Sequence, residues 1–135
     1  LKRTQETAQL AFPERQVQPI ADFDERGFGQ WEGLTADEIE AAFPEVWQAW
    51  LEAPFEVTPP EAEVFSDFQT RVWAATESLL DSTDESIALV AHLGVLRLIY
   101  QHLVDGEAVF WNIDVPQGRV LLLEERDQTW QATLL

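Results

Sequence analysis

The chain has 135 residues, 46% of them hydrophobic and six of them tryptophan, which suits one folded domain and excludes a globally disordered chain. Its 25 acidic and eight basic residues give a net charge of −17, and such a surface repels nucleic acid and anionic membranes as partners. No cysteine is present, which excludes disulfide frameworks and thiolate metal sites.

The opening residues, Leu1-Lys2-Arg3-Thr4-Gln5-Glu6, are polar and unlike a signal peptide. Residues 1–11 read as the end of a helix closed by Pro13, and residues 17–20 as a short edge strand holding Pro19. Three glycines and several aromatic residues place a compact loop over residues 21–33. Thr35-Ala36-Asp37-Glu38 is a capping-box pattern that opens a helix through Phe43, and Pro44 starts a second one running to Leu51. A proline-rich crossing, residues 53–61, follows. From Glu63 to Asp81 the apolar positions Phe65, Phe68, Val72, Ala75 and Leu79 recur at threes and fours, the pattern of an amphipathic helix.

Ile87-Ala88-Leu89-Val90-Ala91 is apolar on both faces, as a central parallel strand is. It is also the longest apolar run, far short of the ~20 residues that cross a bilayer. A soluble, non-secreted, cytoplasmic protein is therefore expected. A helix follows to Leu103, and residues 119–125 and 129–134 read as two strands joined by a turn near Asp127. Helices interleaved with strands predict an α/β fold, a mostly parallel central sheet flanked by helices with an antiparallel finish.

Ligands in such sheets bind beyond the carboxyl ends of the strands. His92 has that place, ending the most apolar strand and preceding a helix whose free N–H groups and positive dipole end suit a phosphate. A strand-end histidine is either a structural hydrogen-bonding residue or, when cationic, a ligand for a phosphoryl oxygen. Arg3 carries a planar fork that matches phosphate oxygens, and on local evidence is equally an ordinary helix-surface arginine. Glu25 lies in a loop bounded by glycine and aromatic residues, where a carboxyl can serve as a general acid. On so acidic a chain, any phosphate site must gather its few positive groups locally. His92 and His102 stand ten residues apart, without metal-ligand spacing, so no metal is expected; P-loop, dinucleotide and nucleophile-elbow motifs are missing, and no cofactor is implied.

Four segments, taken in order, resemble the histidine phosphatase superfamily, also called phosphoglycerate mutase-like. Leu1-Lys2-Arg3-Thr4-Gln5-Glu6-Thr7-Ala8 is similar to its Ser-x-Leu-x-Arg-Ala-x-Gln-Thr-Ala segment. Glu25-Arg26-Gly27-Phe28-Gly29-Gln30-Trp31-Glu32-Gly33-Leu34-Thr35 resembles its Glu-x-x-Phe-Gly-x-Trp-Glu-Gly-Leu-Thr block. Pro59-Pro60-Glu61-Ala62-Glu63-Val64-Phe65 echoes a Pro-x-Gly-Gly-Glu-Ser-Phe turn, and Leu89-Val90-Ala91-His92-Leu93-Gly94-Val95-Leu96-Arg97 resembles Val-Val-Ala-His-Gly-Gly-Val-Ile-Arg. Within the superfamily the likeness is greatest to the alpha-ribazole phosphatase branch.

The resemblance implies a three-layer sandwich, incomplete at its N-terminus, formed by residues 1–135 as the C-terminal two-thirds of one domain with a helical lid-like insertion at about residues 35–62. It implies a phosphomonoester hydrolase working through a phosphohistidine, without a metal, on a small-molecule phosphate ester such as alpha-ribazole 5′-phosphate in cobalamin synthesis. Arg3 would clamp the phosphoryl group, His92 would bind it and stabilise its charge, and Glu25 would protonate the leaving oxygen; Trp31 and Glu32 would be structural. Three departures stand out. The family's Arg-His-Gly nucleophile motif does not occur, and the chain begins at Leu1 inside a motif, so the nucleophile is expected upstream and the piece alone is expected to be inactive. Leu93 replaces a glycine beside the catalytic histidine, and Ala62 and Val64 replace Gly and Ser. A catalytically dead relative serving as a phosphate-ligand binding or interaction module is the alternative, and an acidic structural protein a third. Phe43, Trp47, Trp50 and Phe55 either stack on a substrate base or fill a core.

Overall fold

In the computed structural model, which describes residues 1–135, the helices begin and end where the local chemistry directs. α1 (Lys2–Ala11) stops at Phe12, whose N–H returns to the Ala8 carbonyl just before Pro13. α2 (Ala36–Ala42) opens on Thr35: its Oγ1 accepts the Glu38 N–H at 3.2 Å and donates to the Glu38 carboxylate at 3.2 Å. α3 (Pro44–Glu52) has Pro44 in its first turn, where a missing N–H leaves no hydrogen bond unmade. α4 (Phe65–Asp81) is the longest helix at 17 residues, and α5 (Leu93–Leu103) follows His92 at its N-cap.

The chain divides into two compact units, residues 1–25 with 71–135 and residues 26–70. In the first, Ala8, Phe23, Val72, Val95, Leu98, Ile99, Phe110, Ile113 and Val115 are buried. α4 and α5 are joined there by the Trp73 indole N–H, which donates to the Leu98 carbonyl at 2.9 Å. The buried line of α4 runs through Phe68, Val72 and Thr76, with Ala75 and Leu79 only half-buried. Thr76 takes its buried place by turning its hydroxyl to the Val72 carbonyl at 2.8 Å, which a periodicity of apolar residues does not register. Arg97 pins the turn Phe110–Asn112: Nε donates to the Ile113 carbonyl at 2.8 Å and the guanidinium lies over the Phe110 and Trp111 rings.

The sheet is a two-stranded antiparallel hairpin, β1 (Leu121–Arg126) and β2 (Thr129–Leu134), with Leu121 facing Leu134 and Arg126 facing Thr129. Asp127 and Gln128 both take positive φ, 53° and 64°, the turn whose twist matches that of the strands. The strand expected at residues 87–91 has no ladder, and neither has the edge strand expected at residues 17–20. A strand is defined by a paired neighbour, and these residues place none beside it. The main-chain groups of residues 87–91 make no backbone hydrogen bonds, and Ile87 is exposed rather than buried.

The second unit is organised by aromatic residues. Trp31 stands edge-on to Trp47 and Trp50, at 5.6 Å from each ring centre, while those two stack at 5.8 Å. Arg26 is buried with Nε donating to the Glu63 carbonyl at 2.9 Å and its guanidinium over Phe28 and Phe65. Gly29 has φ +56°, and a Cβ on it would lie 2.3 Å from the Glu61 carbonyl carbon and the Pro60 oxygen. The Gly-x-Trp-Glu sequence is thereby explained by packing: a close backbone crossing at Gly29, a buried indole at Trp31, and Glu32 Oε1 accepting the Phe28 N–H at 3.1 Å.

Candidate active site

Helix α5 begins with its first-turn N–H groups unable to bond within the helix. The Gly94 N–H donates to Glu25 Oε2 at 3.0 Å, so the positive end of the helix holds a carboxylate from 69 residues earlier in the chain. The sequence led us to expect a phosphate at these N–H groups; one of them is taken by an anion of the chain itself. The lack of a side chain at Gly94 leaves room for that carboxylate. A Cβ at that position would sit 2.3 Å from Glu25 Oε1.

His92, the residue preceding α5, meets Arg3 from the first turn of α1, with Nη2 3.3 Å from Nδ1. A guanidinium has only donors, so Nδ1 is the acceptor and the ring proton resides on Nε2. Nε2 is buried and has no hydrogen-bond partner in the protein. Burial, and then the positive charge of Arg3, push the His92 pKa below its ordinary value, while Glu25 and Asp24 pull it up. The ring is therefore a neutral Nε2–H donor at neutral pH. A cationic histidine, one of the two readings the sequence left open, is disfavoured by burial first and then by the cation bound to Nδ1.

Arg3, Glu25 and His92 thus gather around the start of α5: Arg3 touches His92 directly, and Glu25 binds the amide two residues beyond it. Arg3 is otherwise exposed, leaving the rest of its fork open to a ligand. The arrangement can donate hydrogen bonds to an anionic oxygen from a guanidinium and an imidazole, and place a carboxyl beside them. His102 is not part of it. In the last turn of α5, His102 lies 2.8 Å from Glu77 Oε1 with its ring stacked on Trp73. A groove of about 350 Å³ lined by Tyr100, Ile113, Asp114, Leu121 and Leu134 is also distinct, since neither Arg3, Glu25 nor His92 lines it.

The sequence profile of the histidine phosphatase superfamily (branch 1) matches residues 1–135. The chain belongs to that superfamily. This histidine phosphatase chain is 32% identical over 122 residues to the adenosylcobalamin/alpha-ribazole phosphatase of Escherichia coli K12, covering 87% of this chain and 60% of that protein. It is 31% identical over 128 residues to the fructose-2,6-bisphosphatase of Saccharomyces cerevisiae, covering 93% of this chain and 27% of that one. The crystal structure of the alpha-ribazole phosphatase from Shigella flexneri superposes with a TM-score of 0.88 at 26% identity, covering all of this chain and 69% of that one. The histidine phosphatase chain thus spans about 60% of the length of its E. coli relative. Its structural neighbours have the phosphoglycerate mutase-like α/β fold, the class read from the sequence.

One residue of this histidine phosphatase chain that touches the site was absent from the sequence reading. Arg71, in α4, donates from Nη1 to the Asp22 and Asp24 carbonyls at 2.7 and 2.8 Å and from Nη2 to the Glu25 carbonyl at 3.3 Å. Its signal in the sequence is slight: an arginine next to Val72 and three after Phe68, at the border of a buried helix face.

Proposed function

We propose that these residues form the phosphoryl-binding and proton-donating part of a phosphomonoester hydrolase that works through a phosphohistidine, with the nucleophilic histidine supplied from outside residues 1–135. The observation that carries this reading is the buried, unpartnered Nε2–H of His92, flanked by the Arg3 guanidinium and by Glu25 on the start of α5. A buried donor without an acceptor is an unsatisfied group, and a phosphoryl oxygen satisfies it.

In the first step the nucleophile's nitrogen bonds to phosphorus as the bond to the leaving oxygen breaks, and that oxygen takes the proton of the Glu25 carboxyl. Arg3 and the His92 Nε2–H donate to the non-bridging oxygens, where charge develops. In the second step water attacks phosphorus, the P–N bond breaks, and the Glu25 carboxylate receives the water's proton. Neither histidine of the chain suits the nucleophile's part: the His92 lone pair is bound to Arg3, and His102 pairs with Glu77. The relatives' names favour small phosphate esters, with alpha-ribazole 5′-phosphate in cobalamin synthesis as the first substrate to try; a cytoplasmic place of action is part of the same proposal.

The test is an assay of the full-length protein on a panel of phosphomonoesters, with trapping of acid-labile phosphoenzyme. Phosphate release through such an intermediate is expected, together with none from residues 1–135 alone. Turnover by residues 1–135 alone, or turnover without an acid-labile phosphoenzyme, would overturn the mechanism. A full-length protein that gains thermal stability from phosphate yet hydrolyses nothing would instead be a binding module.

A further inference from the structure

Glu25 belongs to a stretch with little structure of its own. Ala21–Phe23 is a single helical turn, Asp24 leaves it with extended dihedrals of −65° and 148°, and the Asp24 N–H reaches only back to the Ala21 carbonyl. No helix or ladder fixes the carbonyls of residues 22, 24 and 25. Those are the groups that Arg71 binds, all from one guanidinium, across 46 to 49 residues of chain. The segment is thereby tied at three carbonyls to a side chain of α4, besides the Leu1 amino group on the Asp24 carboxylate, and Trp73 of α4 is in turn tied to α5. Glu25 is held at both ends: its carbonyl by Arg71, its carboxylate by the Gly94 N–H.

We infer that Arg71 is a positioning residue for proton delivery, setting where the Glu25 carboxyl stands relative to the leaving oxygen. The inference rests on the proposed role of Glu25 as general acid. A guanidinium suits the task where an ammonium does not, because its planar fork presents several N–H groups in fixed directions and reaches three carbonyls without changing rotamer. The substitution Arg71→Lys keeps the positive charge but concentrates it on one atom, leaving the carbonyls of residues 22–25 less firmly defined. A displacement of about 1 Å in a catalytic group is enough to lower a rate by about 10²-fold.

The test compares Arg71→Lys, Arg71→Ala and Glu25→Gln in the full-length protein on two substrates. One is an alkyl phosphate, whose leaving oxygen must be protonated. The other is 2,4-dinitrophenyl phosphate, whose leaving group departs as an anion. Glu25→Gln is expected to lower kcat/KM for the alkyl ester by about 10²- to 10⁴-fold and to spare the dinitrophenyl ester. Arg71→Lys is expected to follow the same selective pattern, with a loss on the alkyl ester of about 10²-fold at most. Added ethylguanidinium is expected to restore alkyl-ester activity to Arg71→Ala. If Arg71→Lys loses both substrates equally, or neither, while Glu25→Gln remains selective, the positioning role is overturned and the acid role stands. If Glu25→Gln shows no selectivity, the acid role fails and the role of Arg71 falls with it. Should Arg71→Ala not fold, Arg71→Lys alone decides, with its melting curve recorded beside the kinetics.

Discussion

Gly94 shows how a single missing atom constrains the candidate site. The Glu25 carboxylate occupies the space a Cβ would need, so Gly94→Ala forces the carboxylate away from the start of α5. We expect kcat/KM of the full-length protein on an alkyl phosphate to fall by about 10²-fold, the scale of a misplaced catalytic group, with the fold retained by circular dichroism; an unchanged rate would mean that Glu25 works from elsewhere. His92 makes a second prediction, of stability. Its folded pKa lies below its unfolded value, so near pH 6 the unfolded chain binds more protons. Stability is then present above the unfolded pKa of about 6.5 and declines as pH falls toward the folded one. Lowering pH from about 7.5 to about 5.5, a range that spans that unfolded value, should reduce the melting temperature of the native chain more than that of His92→Gln, and a constant gap between them would refute the assignment. Arg3, Glu25 and His92 were singled out because each lies in a short segment that resembles a superfamily motif, and the fold brings the three together at the start of α5. Arg71 was not, because its partners are main-chain carbonyls more than 45 residues away, and a carbonyl leaves no mark on a sequence.

At the level of elements, the β1–β2 hairpin carries a mismatch between sequence and backbone. Both central turn residues, Asp127 and Gln128, adopt positive φ, a region where a side chain costs about 1–2 kcal/mol and Asp is better tolerated than Gln. Gln128→Gly should therefore stabilise the chain by about 1 kcal/mol and raise the melting temperature by a few degrees; no gain would indicate that the turn relaxes in solution. The hairpin, α2 with its capping box and α3 with its leading proline were all readable, since caps, turns and alternation act over a few residues. Residues 87–91 were read as a central strand from their composition, and an apolar run can favour extended backbone on its own. A ladder is a different matter. It is a property of two segments, and no segment of residues 1–135 pairs with residues 87–91.

Over the whole molecule, charge is the dominant fact. At a net −17, acidic side chains repel one another over a Debye length that shrinks from about 30 Å at 0.01 M salt to about 8 Å at 0.15 M. Raising sodium chloride over that range should increase the melting temperature of residues 1–135; a flat response would mean that the acids are already compensated by their geometry. The composition made this repulsion plain, whereas the division into residues 1–25 with 71–135 and residues 26–70 was hidden from it. Units built from distant stretches are defined by contacts, and no change in composition marks residues 25–26 or 70–71.

The open backbone of residues 87–91 also sets the conditions under which copies of this chain stay dispersed. At neutral pH their mutual repulsion keeps such segments apart, although an unpaired apolar strand is a template for its own kind. Near the isoelectric pH of about 4.1 the repulsion vanishes while the template remains. Turbidity and thioflavin binding should therefore peak in a narrow acid band and subside below it, as the chains recharge with the opposite sign.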